Sequence, residues 1–133
     1  MNGGRQKDVV LILARELASN IATPMLVLDH NGTLVFFNEP AEIVLGTSFG
    51  ATGEISAAEW DKRWPTTDAD GTPISLLESP LAKVITDQSP AHEVIHVRGS
   101  DDIERRIETT VYPLFASSHR FVGAVAVFWQ AAE

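Results

Sequence analysis

The stretch MLVLDHNGTLVFFNEPAEIVLG, residues 25–46, decides the fold of this 133-residue chain. Two short runs rich in β-branched and aromatic residues flank Asn31-Gly32. Asn-Gly between such runs predicts a two-residue hairpin of type I′, because both central positions of that turn need positive φ. Asn38 then occupies the N-cap position of a short helix that Gly46 ends. The stretch therefore predicts two antiparallel strands followed at once by a helix.

Upstream of this stretch, residues 8–21 carry apolar side chains at helical spacing. The stripe consists of Val9, Val10, Leu13, Leu17 and Ile21, with Ala14 and Ala18 beside them. Leu11 and Ile12 widen the apolar surface beyond one stripe. We therefore expect an amphipathic helix that packs on its own sheet and also on a second copy of the chain, through Val9, Val10, Leu13, Leu17 and Ile21. The alternative is a helix that is wholly buried on its own domain.

Downstream, residues 47–75 have an irregular composition, with Trp60 and Trp64 spaced to anchor the segment to the core. Residues 76–85 predict a second amphipathic helix. Three strand-like runs close the chain, at residues 92–98, 104–114 and 121–129. This order of elements predicts an α+β domain with an antiparallel sheet and helices over one face.

Composition limits the class of protein. Apolar residues make up 44% and charged residues 21%, which is typical of one globular domain. The absence of cysteine excludes disulfides, thiolate metal sites and cysteinyl adducts to a chromophore. A net charge of −8 argues against nucleic-acid binding. No apolar run approaches the roughly 20 residues of a membrane helix, and no signal peptide is evident, so we expect a cytoplasmic protein without membrane contact.

Over residues 24–130 the chain resembles the PAS family of sensory and dimerisation domains. Five loosely defined motifs in the family's order carry this resemblance: LVLDHNG at 26–32, FNEPAEIVLG at 37–46, DADGTPI at 68–74 with SPLA at 79–82, YPL at 112–114, and VGAVAVF at 122–128. Two features depart from the family. Asp101-Asp102 occupies a turn where the family often has Asp-Gly, which leaves the type of this turn open. The last strand ends without the family's Asp-x-Thr.

The resemblance implies a five-stranded antiparallel PAS sheet, with residues 1–23 as an extra N-terminal dimerisation or capping helix and 24–130 as the PAS domain. It also implies a regulatory function, with output to an effector protein or domain. A cavity would lie between the sheet and the connecting helix. The family's register, carried over to the strands of this chain, together with residues of the short helix and the connecting helix, implies its lining: Leu26, Leu28, Phe36, Ile43, Leu77, Leu81, Ile85, Ile95, Val97, Ile107, Thr109, Val111, Phe121, Gly123 and Val125.

Thr109 is the one polar side chain in this set, so any ligand should be small or flexible and hydrophobic, such as a fatty acid. The alternative is that these side chains pack against one another without leaving a cavity, and that the domain is a pure protein-protein interaction module.

Cofactor and catalytic signals are missing. Family flavin adducts use cysteine, and haem usually takes a histidine of the connecting helix, yet residues 76–88 contain none. His92 and His96 share one face of their strand, which the family's register turns outward. They lie about 13 Å apart at ~3.3 Å per residue, too far to share a metal ion. We expect no cofactor, no metal and no catalysis. A small α+β enzyme of the isomerase or thioesterase type would need a group such as His96 or Asp29 inside a pocket.

Overall fold

The computed structural model describes residues 8–75 and 80–131. In chain order its elements are helix α1 (Val9–Ala18), strands β1 (Met25–Asp29) and β2 (Leu34–Phe37), helices α2 (Glu39–Leu45), α3 (Phe49–Thr52) and α4 (Ala57–Arg63), strands β3 (Thr66–Thr67) and β4 (Pro73–Ile74), helix α5 (Pro80–Asp87), and strands β5 (Ala91–Arg98), β6 (Glu104–Phe115) and β7 (Phe121–Gln130). A single 3-10 turn, Ser117–His119, joins the last two strands.

The strands form one antiparallel sheet in the order β2-β1-β7-β6-β5-β3-β4. This confirms the α+β class and the antiparallel sheet, but the sheet has seven strands rather than five. The two additional strands are two residues long, and Thr66 of β3 pairs with Val97 at the edge of β5. Segment 47–75 has no strand periodicity, so local sequence could not show that its backbone would find hydrogen-bond partners on this edge.

Two apolar clusters lie on opposite faces of the sheet. The inner cluster, between the sheet and helices α2, α4 and α5, includes Leu28, Phe37 and Trp64. The outer cluster lies between the sheet and α1 and includes Leu11, Val27 and Val125. Strand side chains alternate between faces, so each central strand contributes to both clusters.

The β1–β2 turn differs from the predicted type I′. Gly32 has φ of +83°, but Asn31 does not have positive φ. The carboxylate of Asp29 instead accepts hydrogen bonds from the backbone N–H groups of Asn31 (2.9 Å) and Thr33 (3.0 Å). An Asx-type turn with one left-handed glycine therefore closes the hairpin. In the β5–β6 turn, Asp102 takes the left-handed conformation at φ +64°, at the place where the family often has glycine.

Asn38 joins the two faces of the fold. Its side chain is buried, with 1% exposure, and caps α2 as predicted. Its Oδ1 accepts from the N–H of Met25 (3.0 Å) and Ala41 (3.1 Å). Its Nδ2 donates to the carbonyl oxygens of Ala18 (3.0 Å) and Thr23 (2.9 Å). One amide thus holds the end of α1, the link to β1, the start of β1 and the start of α2.

Replacing Asn38 with alanine should lower the free energy of unfolding by about 2–4 kcal/mol, because the cap is lost and buried backbone groups lose their partners. Urea denaturation measures the change. Asn38→Asp should also destabilise the protein, since a carboxylate cannot donate hydrogen bonds to the carbonyl oxygens of Ala18 and Thr23. The matched control is Asn20→Ala, which removes one exposed bond to Glu16 within its own helix region. Equal stability of Asn38→Ala and the control would contradict the role given to Asn38.

The start of α1 is fixed by Asp8. Its Oδ1 accepts from the Val10 N–H (2.9 Å), and its Oδ2 accepts from Arg120 Nη2 (2.8 Å), next to β7. The backbone hydrogen bond from Val10, followed by the Arg120 guanidinium, lowers the pKa of this carboxyl below its ordinary value.

Because the folded pKa of Asp8 is lowered, its contribution to stability is present above the ordinary aspartate range and is lost as pH falls through the folded value. Asp8→Asn should therefore reduce stability at pH 7 and flatten the fall in stability below about pH 4. Urea midpoints measured from pH 7 to pH 2.5 test this, with Glu16→Gln, on the exposed side of α1, as the control. Parallel pH curves for wild type and Asp8→Asn would contradict it.

Candidate functional site

Most of the side chains predicted to line the interior do face it. The inner cluster contains Leu26, Leu28, Ile95, Val97, Ile107 and Val111, and Ile85 of α5 packs against it. Thr109 is buried between Ile107 and Val111 along β6 and has the same strand parity. Leu77 lies outside the described residues, and the side chain of Leu81 is also outside the described part of the chain. These inward-facing residues form one surface beneath α5 that is apolar except for the Thr109 hydroxyl.

Phe36 was predicted on this surface and lies on the other face. Its partner across the ladder is Val27, whereas Leu28 pairs with Leu34, so the register shifts between them. A bulge of this kind turns two successive side chains, here Val35 and Phe36, to the same side of the sheet. Both belong to the region beneath α1, where the Arg15 guanidinium lies 4.8 Å from the centre of the Phe36 ring.

The parity predicted for Gly123 and Val125 of β7 is wrong by one residue. Ala124, Ala126 and Phe128 face the interior, while Val125 packs beneath α1. A Cβ on Gly123 would meet Leu11 of α1 and the carbonyl oxygen of Leu28. Phe121 lies beyond the register shift between Leu114 and Phe115, and its ring packs on that of Phe115, its partner across the ladder. The run 121–128 is apolar throughout because β7 is covered on both faces, so alternation could not identify the inner face.

Ile43 does not line the interior either. Helix α2 turns Ala41, Val44 and Leu45 inward, and Ile43, between them, is 71% exposed. A short helix buries one stripe of its surface, and the neighbours at i+1 and i+2 of a buried residue point elsewhere.

Aromatic rings fill the α2 end of the interior. Trp64 is fully buried and makes edge-to-face contacts with Trp60 and Phe37, at centroid distances of 4.8 and 6.0 Å. Its indole Nε1 donates to the carbonyl oxygen of Leu45 (3.1 Å) and to Ser100 Oγ (3.1 Å). The spacing of the tryptophans predicted an anchor, but sequence could not show which part of the interior they would fill. The candidate ligand region is consequently the α5 side, around Thr109.

An ion pair fixes the β5–β6 turn against α2. Arg105 donates from Nη2 to Asp101 Oδ2 (2.8 Å) and from Nη1 to the carbonyl oxygen of Val44 (2.9 Å). The hydrogen bond from Arg105 lowers the pKa of the Asp101 carboxyl. The pair satisfies a carbonyl at the C-terminal end of α2, where positive charge is favourable.

The second candidate site is an apolar groove of about 470 Å³ on the outer face, between α1 and the sheet. Its walls are Val10, Leu13, Ala14, Leu17, Ile21, Met25, Tyr112, Leu114, Val125 and Val127. Beside it, α1 presents Val9, Leu13 (62% exposed) and Leu17 (57% exposed) to solvent, while Leu11, Ala14 and Ala18 are buried against the sheet. Of the residues predicted for contact with a second copy, Val10 and Ile21 are thus partly buried within the chain itself.

Histidine is the usual axial ligand of haem, and the described residues include all four histidines of the chain. All four histidines lie away from the interior: His30 and His119 are exposed in turns, and His92 and His96 are on the outer parity of β5. The Asp29 carboxylate accepts a hydrogen bond within its own turn, and His96 Nδ1 lies 3.3 Å from the Asp68 carbonyl oxygen. Neither side chain therefore enters an apolar pocket. Residues 8–75 and 80–131 contain no cluster of three or more potential metal ligands. No helix among them is long and apolar enough to cross a bilayer.

Comparison with known proteins finds relatives by structure alone. No protein-family model and no curated protein matches the sequence. The chain is similar to the PAS domain of a protein from Colwellia psychrerythraea (TM-score 0.63, 17% identity, 93% of this chain and 98% of that one). It is also similar to the PAS domain of nitrogen regulation protein NR(II) from Vibrio parahaemolyticus (TM-score 0.62, 17% identity, 90% and 98%). A third similar structure is an RNA-binding light-oxygen-voltage receptor (TM-score 0.67, 14% identity, 98% and 35%).

These likenesses cover 90% or more of this chain at TM-scores above 0.6. The identities are low, so the evidence concerns the fold. The chain therefore has the fold of a PAS domain.

Proposed function

We propose that this chain is a non-catalytic sensory or regulatory domain that acts as a homodimer through α1 and the groove beside it. Residues 24–130 would form the sensor and residues 1–23 the dimerising segment. The observation that carries the proposal is the apolar surface of α1 on the side away from its own sheet. Regulation of this kind agrees with the similarity to a PAS domain of a nitrogen regulation protein.

The outer surface is suited to a second copy because it holds both halves of a self-complementary contact. Leu13 and Leu17 form a ridge on α1, and the groove runs directly beside that ridge. A two-fold axis presents the same patch on both subunits, so each ridge can enter the other subunit's groove. The groove walls are apolar side chains except for the Tyr112 hydroxyl, which keeps the desolvation cost of this contact low.

The proposed ligand is a small hydrophobic molecule, such as a fatty acid, held beneath α5. The surface around Thr109 consists of Ile95, Ile107 and Val111, which offer apolar contact and one hydroxyl for orientation. A carboxylate head group would have to remain near solvent, because the described residues of this surface supply no cation. The competing function is an interaction module without ligand, and the aromatic rings that fill the α2 end of the interior favour it.

A signal would pass from the interior to α1 through Asn38. This residue caps α2 on the inner side and accepts or donates hydrogen bonds at the end of α1 and at β1. Movement of α2 would therefore change the position of α1 on the sheet and, with it, the geometry of the dimer. The output would reach an effector protein or domain in the cytoplasm. The net charge of −8 favours a protein over a nucleic acid as the partner.

Leu13→Glu should convert a dimer into a monomer, since it places a charge in the centre of the proposed interface. Sedimentation velocity at 10–200 µM measures the association. The matched control is Ile43→Glu, which adds the same charge at an exposed isoleucine on α2 and should leave the dimer intact. A wild-type chain that is monomeric at 200 µM would contradict the dimer, as would a dimer that both variants leave unchanged.

Saturated fatty acids of 8–14 carbons should raise the thermal midpoint of the purified protein if a ligand binds beneath α5. Val111→Phe should reduce the shift by filling that space, and Val94→Phe, at the opposite parity of β5, should keep it. Leu13→Glu should also keep the thermal shift, which distinguishes binding in the interior from binding in the α1 groove. Native mass spectrometry of the protein as purified checks for a bound molecule. No shift and no bound molecule would favour the interaction module.

A further inference from the structure

A polar cluster on the outer face lies at the edge of the groove. His92 of β5 forms a hydrogen bond through Nδ1 with Thr110 Oγ1, and its Nε2 lies 3.3 Å from Glu108 Oε1. The His92 ring lies 6.2 Å from the Trp129 ring, centroid to centroid, with the two planes tilted by 38°. Three neighbouring strands thus bring an imidazole, a carboxylate, a hydroxyl and an indole together.

The strand register places this cluster next to the proposed interface. Thr110 pairs with His92 on one side and with Val127 on the other, and Val127 is a wall of the groove. Glu108 pairs with Trp129 of β7, which is 41% exposed. A second copy that covers the groove would therefore cover or border His92, Glu108 and Trp129.

Few other charges face His92 from the strands packed beside it. On β6 the outer-parity titratable residues nearest to it are Glu108 and Tyr112, followed by Arg106, which pairs with His96 of β5. The outer parity of β7 presents Val125, Val127 and Trp129, which carry no charge. The charge of the cluster itself thus changes from negative to neutral when the imidazole takes up a proton.

We propose that His92, Glu108, Thr110 and Trp129 form a proton-responsive latch that strengthens self-association as pH falls from 8 to 6; this rests on the proposed α1 dimer. Imidazole is the side chain whose charge ordinarily changes in this range. Covering the lone Glu108 carboxylate with a partner is unfavourable, whereas covering a carboxylate paired with an imidazolium costs less. The imidazolium also gains an attraction to the Trp129 ring. The dimer therefore binds the proton more tightly than the monomer, and by linkage protons favour the dimer.

Sedimentation velocity at pH 8 and pH 6 tests the latch. The dissociation constant of wild type should fall roughly threefold to tenfold at pH 6, the range expected from two partly exposed ion pairs. His92→Gln and Glu108→Gln should remove most of that change. His119→Gln is the matched control, because it removes a histidine from an exposed turn and corrects for the general loss of negative charge at low pH. An equal pH dependence in His92→Gln and wild type would overturn the latch.

A second measurement distinguishes failure of the latch from failure of the dimer. In the Leu13→Glu monomer, the Trp129 indole N–H resonance, assigned from its loss in Trp129→Phe, should shift between pH 8 and 6 and should stop shifting in His92→Gln. Wild type that is monomeric at both pH values contradicts the α1 dimer and the latch together. A dimer whose dissociation constant does not change with pH contradicts the latch alone.

Discussion

The buried amide of Asn38 is the constraint on which the rest of the structure depends. Its four hydrogen bonds reach Ala18, Thr23, Met25 and Ala41, which belong to α1, the link after it, β1 and α2. Met25 belongs to the outer cluster and Ala41 to the inner one. A buried amide is tolerated only when its donors and acceptors are satisfied, so the positions of these four segments are mutually dependent. The two faces of the sheet are therefore linked by geometry as well as by the strands between them.

The second organising feature is the central strand β7, which is covered on both faces. Ala124 and Ala126 contact the inner cluster, whereas Val125 lies beneath α1. Gly123 has no side chain, and this lets Leu11 of α1 come close to the sheet. The same strand thus forms the floor of the inner surface and the floor of the outer groove. A ligand on one side and a partner on the other would be separated by a single layer of backbone, which suits a domain that couples binding to association.

The chemistry of the two faces differs. The inner surface is apolar with Thr109 as its buried hydroxyl, and it borders the aromatic rings of Trp60 and Trp64. The outer surface is apolar near α1 and becomes polar towards β5, where His92 and Glu108 lie. A partner that extends past the groove must therefore cover titratable groups. This boundary gives the proposed interface a physical reason to respond to pH without a charged group in the interior.

Local sequence determined the elements whose signals are short-range: the Asn38 cap, the left-handed Gly46, helix α1, and the three long closing strands, and together these predicted the α+β fold and most of the inner face. It could not determine which side of β7 faces inward, because a strand that is buried on both faces shows no alternation of apolar and polar residues. It also missed the bulge that turns Phe36 outward, the exposure of Ile43, and the two short strands that join the sheet at β5. Each of these depends on a neighbouring segment distant in sequence, and such contacts exist only in the tertiary structure.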